Sequence, residues 1–326
     1  MPEPRSSPLA ASEPLLPTPL PMGADPIVVL ADELAYVVPR TKRIGIGGWL
    51  AIAWLTLTLV CVVVLPFVLH NPSSASLLAS KGIFKVSGHP LGGDGNGNDM
   101  LLELAEGGRN SLIVAIGAVS FGLVIGGSLG LLAGYFRGKI DTGLTAMFNI
   151  LLAIPQFVLA VSLVSVLAAN GVNSQGAPQP SSFTRRLVVL VFALGIVSIP
   201  ILARITRANA LQWSQRDFVL AARAQGASNL RIMWREVLPN VAPAMFSIAL
   251  LGIAVAMVAE GGLSILGAGV QGGYSWGNII ATGRGQFEIA PHVVFEPVVC
   301  IFLTVLSINY VGDIVRARFD VRESSL

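Results

Sequence analysis

Long apolar runs with few charges are the feature that most constrains how this chain of 326 residues can fold. Such runs are typical of helices that cross a lipid bilayer, which need about 20 apolar residues each. Hydrophobic residues make up 53% of the chain and charged residues only 12%. That composition predicts an all-α integral membrane protein with six transmembrane helices. The predicted spans are at about 49–69, 111–135, 144–168, 187–203, 239–270 and 298–311.

The basic residues predict how these spans are oriented. With six spans and both ends inside, fifteen of the 21 lysines and arginines fall on the cytoplasmic side, where such residues are enriched. The count therefore predicts a multi-pass membrane protein with both termini in the cytoplasm. The six basic residues expected outside are Lys81, Lys85, Arg109, Arg185, Arg186 and Arg284.

A charged island between the fourth and fifth spans, residues 217–240, reads as a helix-Gly-helix elbow. Gly226 can close the first helix in a left-handed conformation, and Ser228 can cap the second. Pro239 is expected to end the second helix. The elbow either presents a docking surface to a soluble partner or is an ordinary interfacial loop lying on lipid or on its own bundle. An apolar stripe at helical spacing is formed by Leu230, Met233, Trp234 and Val237.

Glycines, a proline and a carboxylate inside the apolar spans are further candidate sites. Glycines recur every fourth residue in the second span, which predicts a close helix-helix contact within this subunit or with a partner. Pro155 predicts a kink in the third span, serving either gating or structure alone. Glu260 is expected to face the translocation pathway or a polar interhelical contact, or else to snorkel or be paired structurally. The glycines of this ladder are Gly122, Gly126, Gly130 and Gly134.

Several other functions find no support in the sequence. The two cysteines lie in apolar segments and the three histidines lack ligand spacing, so neither a disulfide framework nor a metal site is expected. A calcium-loop pattern at residues 94–99 lacks the terminal acidic ligand, because Ala105 stands there. Lys139 is followed by isoleucine, so the phosphate-loop pattern fails. The net charge of +3 does not imply nucleic acid binding.

Four ordered blocks resemble the inner-membrane permeases of ABC importers. The elbow resembles their coupling motif, which is written E-A-A, three residues, Gly, nine residues, then I-x-L-P. Two positions differ from it: Leu220 stands where the motif usually has Glu, and Glu236 stands where it usually has Ile. Residues 89–112 resemble the H-P-L-G-T-D signature before the second span of peptide permeases, and residues 149–155 resemble D-I-L-L-A-x-P. Residues 260–277 resemble E-x-x-L-S-F-L-G-L-G-V-Q followed by S-W-G, with a short re-entrant helix at about 276–282. The elbow positions matching the motif are Ala221, Ala222, Gly226, Leu238 and Pro239.

The resemblance, which covers roughly residues 85–318, implies a type I ABC importer permease fold with a cytoplasmic coupling helix. It implies the C-type permease of an oligopeptide or dipeptide importer and not an enzyme. Related permeases carry nickel or other small solutes, and a self-sufficient channel or membrane enzyme is a more distant alternative. The residues expected to couple the chain to an ATPase are Leu220, Ala221, Ala222, Gly226, Met233, Trp234, Leu238 and Pro239.

The family also implies a set of partners. These are a B-type permease, two cytoplasmic ABC ATPase subunits that hold the ATP and Mg, and an extracytoplasmic substrate-binding protein that delivers a peptide substrate. No cofactor is expected in this chain, whose remaining contact is membrane lipid. The predicted organisation is a disordered, proline-rich cytoplasmic tail at 1–43, a first helix and outer loop at 44–110, a permease core at 111–315 with the elbow at 213–240, and a cytoplasmic tail at 316–326.

Overall fold

The computed structural model describes residues 45–68, 82–83, 85–168 and 182–323, with side chains to residue 317. The N-terminal tail predicted to be disordered lies outside this part, as does most of the outer loop expected between the third and fourth spans. Regular secondary structure in the described residues is helical. In chain order, the helices are α1 (Ile46–Val68), α2 (Met100–Phe136), α3 (Gly138–Ala153), α4 (Gln156–Leu167), α5 (Phe183–Trp213), α6 (Asp217–Ala224), α7 (Asn229–Ile232), α8 (Leu238–Ile265), α9 (Trp276–Gly283) and α10 (His292–Glu323).

Five helical segments of the described chain are long and apolar enough to cross a membrane. They are α1, α2, α5, the continuous stretch Asn229–Ile265 and the first 26 residues of α10. The pair α3 and α4 passes the same test together but is bent by 86° at its junction. The prediction of six spans is therefore confirmed when that pair counts as one broken span.

The junction of α3 and α4 is a break, whereas the sequence predicted only a kink at Pro155. Ile154 adopts an extended conformation (φ −81°, ψ 128°), and α4 starts directly after the proline. The proline ring disfavours helical geometry in the residue before it, so the helix stops there instead of bending. The two halves of this span are thus separate helices.

Helix α2 begins eleven residues before the predicted second span. The side chain of Asp99 caps it by accepting a hydrogen bond from the backbone N–H of Leu101 (2.8 Å). At 37 residues the helix is about 55 Å long, which exceeds the roughly 30 Å hydrocarbon core of a bilayer. An apolar window detects the membrane-embedded part of such a helix and misses its polar extension. The predicted second span, at about 111–135, is therefore part of a longer helix.

Three buried apolar clusters hold the helices together. One joins α2, α4, α5 and the end of α8, and a second joins α2, α8, α9 and α10. The third lies where the ends of α2 and α5 meet the elbow and the start of α8. Helix α2 contributes to all three and is the central helix of the described bundle.

Candidate functional site: the elbow and the buried glutamate

The elbow predicted from residues 217–240 is formed by α6, a tight turn and α7. Helix α6 ends in a Schellman motif, in which the backbone N–H of Ala227 donates to Ala222 O (3.1 Å) and that of Gly226 to Arg223 O (3.0 Å). Gly226 has φ +82°, a conformation that glycine adopts without steric cost. The hydroxyl of Ser228 then caps α7. The predicted turn and cap are thus both present.

A π-helical turn, Met233–Val237, joins the elbow to α8. The backbone N–H of Leu238 donates to Met233 O across this wider turn, and Pro239 falls in the first turn of α8. A proline is tolerated inside this continuous helix because a local π-helical turn can re-satisfy the backbone groups that the missing N–H leaves free. The prediction that Pro239 ends the helix is therefore wrong. The helical path is therefore continuous from the elbow into α8.

One side of the elbow is buried against the ends of α2 and α5. Val219, Ile232, Met233 and Val237 are each at most 3% exposed and belong to the third cluster. The Tyr135 hydroxyl donates to the side-chain oxygen of Asn229 (3.0 Å), which adds a polar contact between α2 and α7. The partners supplied by α2 and α5 are Leu131, Tyr135 and Ala210. The elbow is therefore a packed part of the bundle.

The other side of the elbow exposes large apolar residues. Leu220, Leu230 and Trp234 are 52%, 60% and 54% exposed. The predicted single stripe is therefore wrong: Met233 and Val237 face the bundle, while Leu230 and Trp234 face away. Ile232, which lies outside that stripe, is fully buried, so the bundle contacts an adjacent face of the helix. Among the other coupling candidates, Ala221 and Pro239 are exposed, and Ala222 and Leu238 are half-buried.

Glu260 lies fully buried where α2, α8 and the loop before α9 meet. One carboxylate oxygen accepts hydrogen bonds from the hydroxyls of Ser264 and Ser275 (both 2.8 Å), and the other accepts from Ser111 (3.1 Å). These three serines, one from each element, form the serine cage. Complete burial excludes snorkelling, and the geometry is that of a polar interhelical contact.

The serine cage also fixes the start of α9, the short helix predicted at about 276–282. The hydroxyl of Ser275 accepts from the backbone N–H of Asn278 (3.0 Å), and that of Ser111 accepts from the backbone N–H of Trp276 (3.1 Å). The indole N–H of Trp276 donates to Leu104 O (2.8 Å). Glu260 therefore connects α2 and α8 to the start of the short helix α9. All three serines fall within the blocks that resemble the permeases, but the sequence did not predict their grouping around Glu260.

The glycine ladder of α2 packs against α5 of the same chain. A Cβ atom at Gly126 would lie 2.5 Å from Ile199 O, and one at Gly134 would lie 2.6 Å from Arg207 O. At Gly122 and Gly130 it would meet Ser198 and Ala203. Because the obstructing atoms are mostly backbone, these positions accept no larger residue at this helix separation. The sequence left open whether the ladder contacts a helix of this chain or of a partner, and in the structure it contacts α5 of this chain.

The outer-loop motif before α2 folds into a network of polar turns. Both carboxylate oxygens of Asp94 accept hydrogen bonds from Asn96 and Asn98. Asp99 contacts His89 Nδ1 at 2.5 Å while capping α2. These contacts make the cluster a cap for α2. Nearby, burial and then the adjacent Glu103 charge raise the pKa of the Tyr274 hydroxyl, which stays protonated.

The fold and the elbow define a class, a multi-helix membrane subunit in which a packed elbow connects two long helices. The family model described as "binding-protein-dependent transport system inner membrane component" matches residues 109–325. The chain belongs to that family and is a multi-pass permease of the inner membrane.

Individual relatives give the same assignment. The glutathione transport system permease protein GsiD of Pectobacterium atrosepticum is 33% identical over 73% of this chain and 74% of its own. The dipeptide transport system permease protein DppC of Alkalihalophilus pseudofirmus is 32% identical over 73% of each chain. The di/tripeptide permease DppC of Pseudomonas aeruginosa is 36% identical over 71% of each. The resemblance to peptide-importer permeases is confirmed.

A solved structure has the same fold. The inward-facing MetNI methionine ABC transporter contains a chain that matches 67% of this one and 97% of its own, with a TM-score of 0.52 and 22% sequence identity. At that identity the match concerns the fold alone. It agrees with the predicted type I importer permease architecture.

Proposed function

We propose that this chain is the C-type permease of an ABC importer for dipeptides or oligopeptides and forms half of the translocation pathway. A B-type permease supplies the other half, two ATPase subunits drive the importer, and an extracytoplasmic binding protein delivers the peptide; the elbow is where this chain meets the ATPases. The elbow carries the proposal, because a docking surface rigidly joined to two spans is what a partner-driven transporter requires. The relatives named for dipeptide, di/tripeptide and glutathione transport support the substrate class.

The orientation of the chain follows from the same proposal. The elbow lies on the cytoplasmic side, which the distribution of basic residues favours and where ATP is available. ATP binding closes the two ATPases, the elbow moves with them, and the spans change from inward-facing to outward-facing. The elbow begins a few residues after the end of α5 and continues without interruption into α8. A displacement of the elbow therefore moves both of these long helices.

The substrate assignment is tested by uptake into vesicles that contain the complete importer. We expect ATP-dependent accumulation of radiolabelled dialanine or trialanine, with competition by unlabelled peptide of the same length and none by nickel ions. ATP hydrolysis should rise when the peptide-loaded binding protein is added. Accumulation of labelled nickel without any peptide uptake would contradict the peptide assignment and favour the small-solute alternative.

Trp234 provides the sharpest test of the docking surface. Its indole is 54% exposed beside Leu230, and exposed aromatic residues of this kind frequently anchor protein interfaces. We expect Trp234→Ala to weaken ATPase binding by about 2 kcal/mol, roughly a thirtyfold rise in Kd. Titration of purified ATPase onto nanodisc-embedded permease measures this change.

Trp49→Ala is the matched control, because Trp49 is 62% exposed at the start of α1 and outside the elbow. It should leave the ATPase affinity unchanged. Equal affinities for the Trp234→Ala and Trp49→Ala variants would show that the exposed side of the elbow is not the docking surface.

A further inference from the structure

Helix α3 carries polar residues along one face. Asp141, Thr145 and Asn149 follow one another at intervals of four residues, so their side chains share that face. The Thr145 hydroxyl donates to Asp141 Oδ1 (3.2 Å), which orients the carboxylate. The face points toward α5, the helix that leads into the elbow.

Two arginines of α5 bind this face. Arg207 forms a bidentate ion pair with Asp141, in which Nε donates to one carboxylate oxygen and Nη2 to the other (2.7 Å for the second). Arg204 lies one turn earlier and donates to the side-chain oxygen of Asn149 (2.8 Å). Bidentate pairing fixes direction as well as distance, so it holds the two helices in one arrangement. We name these five residues the α3–α5 clamp.

The α3–α5 clamp matters because little of the surface of α3 is buried. Among the residues of α3, all of which are described, Phe148 alone is buried. By contrast, α4 places Ala160 and Val164 in the first apolar cluster. The two halves of the broken span thus pack differently: α4 contributes to an apolar core, whereas α3 lies at the surface beside α2 and is bonded to α5 by the clamp. The break at Pro155 separates them.

We infer that the α3–α5 clamp transmits movement of the elbow to α3, which turns about the break at Pro155 while α4 stays with the core. Arg207 lies six residues before the end of α5, and α6 begins only four residues after that end. A displacement of the elbow therefore acts on the clamp through a short helical arm. The inference rests on the proposed function and assigns Asp141 and Arg207 as positioning residues of the transport step.

The first test breaks the ion pair in the assembled importer. Asp141→Asn removes the charge but keeps the size of the side chain. Because the pair is partly exposed and the substitution leaves the apolar clusters of the bundle intact, the variant should fold. We expect peptide uptake per ATP hydrolysed to fall about tenfold, a typical loss when two sites are uncoupled. Lys139→Gln, on the same helix outside the clamp, should match the wild type.

The second test measures the movement itself. Spin labels at Gly143→Cys on α3 and Val166→Cys on α4 report the distance across the break, after Cys61 and Cys300, the two cysteines, are replaced by serine. A side-chain carbon added at Gly143 would have no neighbouring atom within 4 Å, so a label fits there. Binding of a non-hydrolysable ATP analogue should change this distance in the wild-type clamp and leave it unchanged with Asp141→Asn. A purely structural role would not remove a nucleotide-dependent change.

A charge swap completes the test. The double variant Asp141→Arg with Arg207→Asp should recover most of the uptake and the distance change. Any one of three results would overturn the inference. Uptake per ATP could be unchanged with Asp141→Asn, the distance in the wild type could be the same with and without nucleotide, or the charge swap could restore neither uptake nor the distance change. Failure of the proposed function is distinguishable, because the ATPases would then fail to co-purify even with the unaltered chain.

Discussion

Replacing Gly226 with proline is expected to release the ATPases from this permease while leaving its helices in the membrane. Proline fixes φ near −65°, whereas Gly226 has φ +82° and its backbone N–H donates to Arg223 O. The turn of the elbow cannot form with those two losses, which together cost about 3 kcal/mol or more. ATPase co-purification and ATP-driven uptake should both disappear, while membrane fractionation should show the variant at the wild-type level.

Asparagine at the same position is the matched control. It is the residue after glycine that best tolerates the left-handed conformation, and it keeps the backbone N–H. A side-chain carbon built at Gly226 has no atom within 4 Å, so space is not limiting. Gly226→Asn should therefore retain most ATPase binding. Normal ATPase co-purification with Gly226→Pro would count against the elbow as the coupling element.

Replacing Glu260 with alanine is expected to destabilise the part of the bundle where α2, α8 and α9 meet. Three serine hydroxyls would lose their common acceptor inside a site with no exposure. Leaving buried donors unsatisfied costs about 1–3 kcal/mol for each group, so the total should reach about 3 kcal/mol or more. A lower thermal unfolding midpoint of the purified permease, followed by tryptophan fluorescence, measures the loss.

Two further substitutions interpret this result. Glu260→Gln keeps one carbonyl acceptor and the size of the side chain, so its unfolding midpoint should lie between those of alanine and the wild type. Glu288→Gln changes an exposed carboxylate and should have no effect. If Glu260→Ala abolished uptake at an unchanged unfolding midpoint, Glu260 would belong to the pathway instead of the cage.

The elbow shows which parts of the site were predictable. Gly226 and Ser228 act on their immediate neighbours, and both turned out as the sequence predicts because a turn and a cap depend on a few adjacent residues. The sequence did not correctly predict which side of the second elbow helix faces the bundle. Leu230, Met233, Trp234 and Val237 form a plausible stripe, but α2 and α5 contact Ile232, Met233 and Val237 instead. A periodic pattern shows that a helix has an apolar face, but it does not determine which residues of that face pack against the bundle.

Pro155 and Pro239 make the same point about helix ends. The sequence predicts a kink at the first and a stop at the second, and the structure has a full break and an uninterrupted helical path. At Pro155 the preceding residue is extended, so both helices end. At Pro239 a π-helical turn precedes the proline and removes the need for its N–H. Which outcome a proline has depends on the backbone before it, and that backbone is set by packing.

The apolar runs, the glycine ladder and the local turn chemistry determined the membrane fold and the position of the elbow from sequence alone. Periodicity, helix capping and hydrophobicity act over a few residues, so they can be read along the chain. The tertiary structure alone decided that Glu260 meets Ser111 and Ser275, and that Asp141 meets Arg207. Those partners are separated by 15 to 149 residues. Hydrogen bonds and ion pairs between such distant residues form only after the helices have packed in their final order.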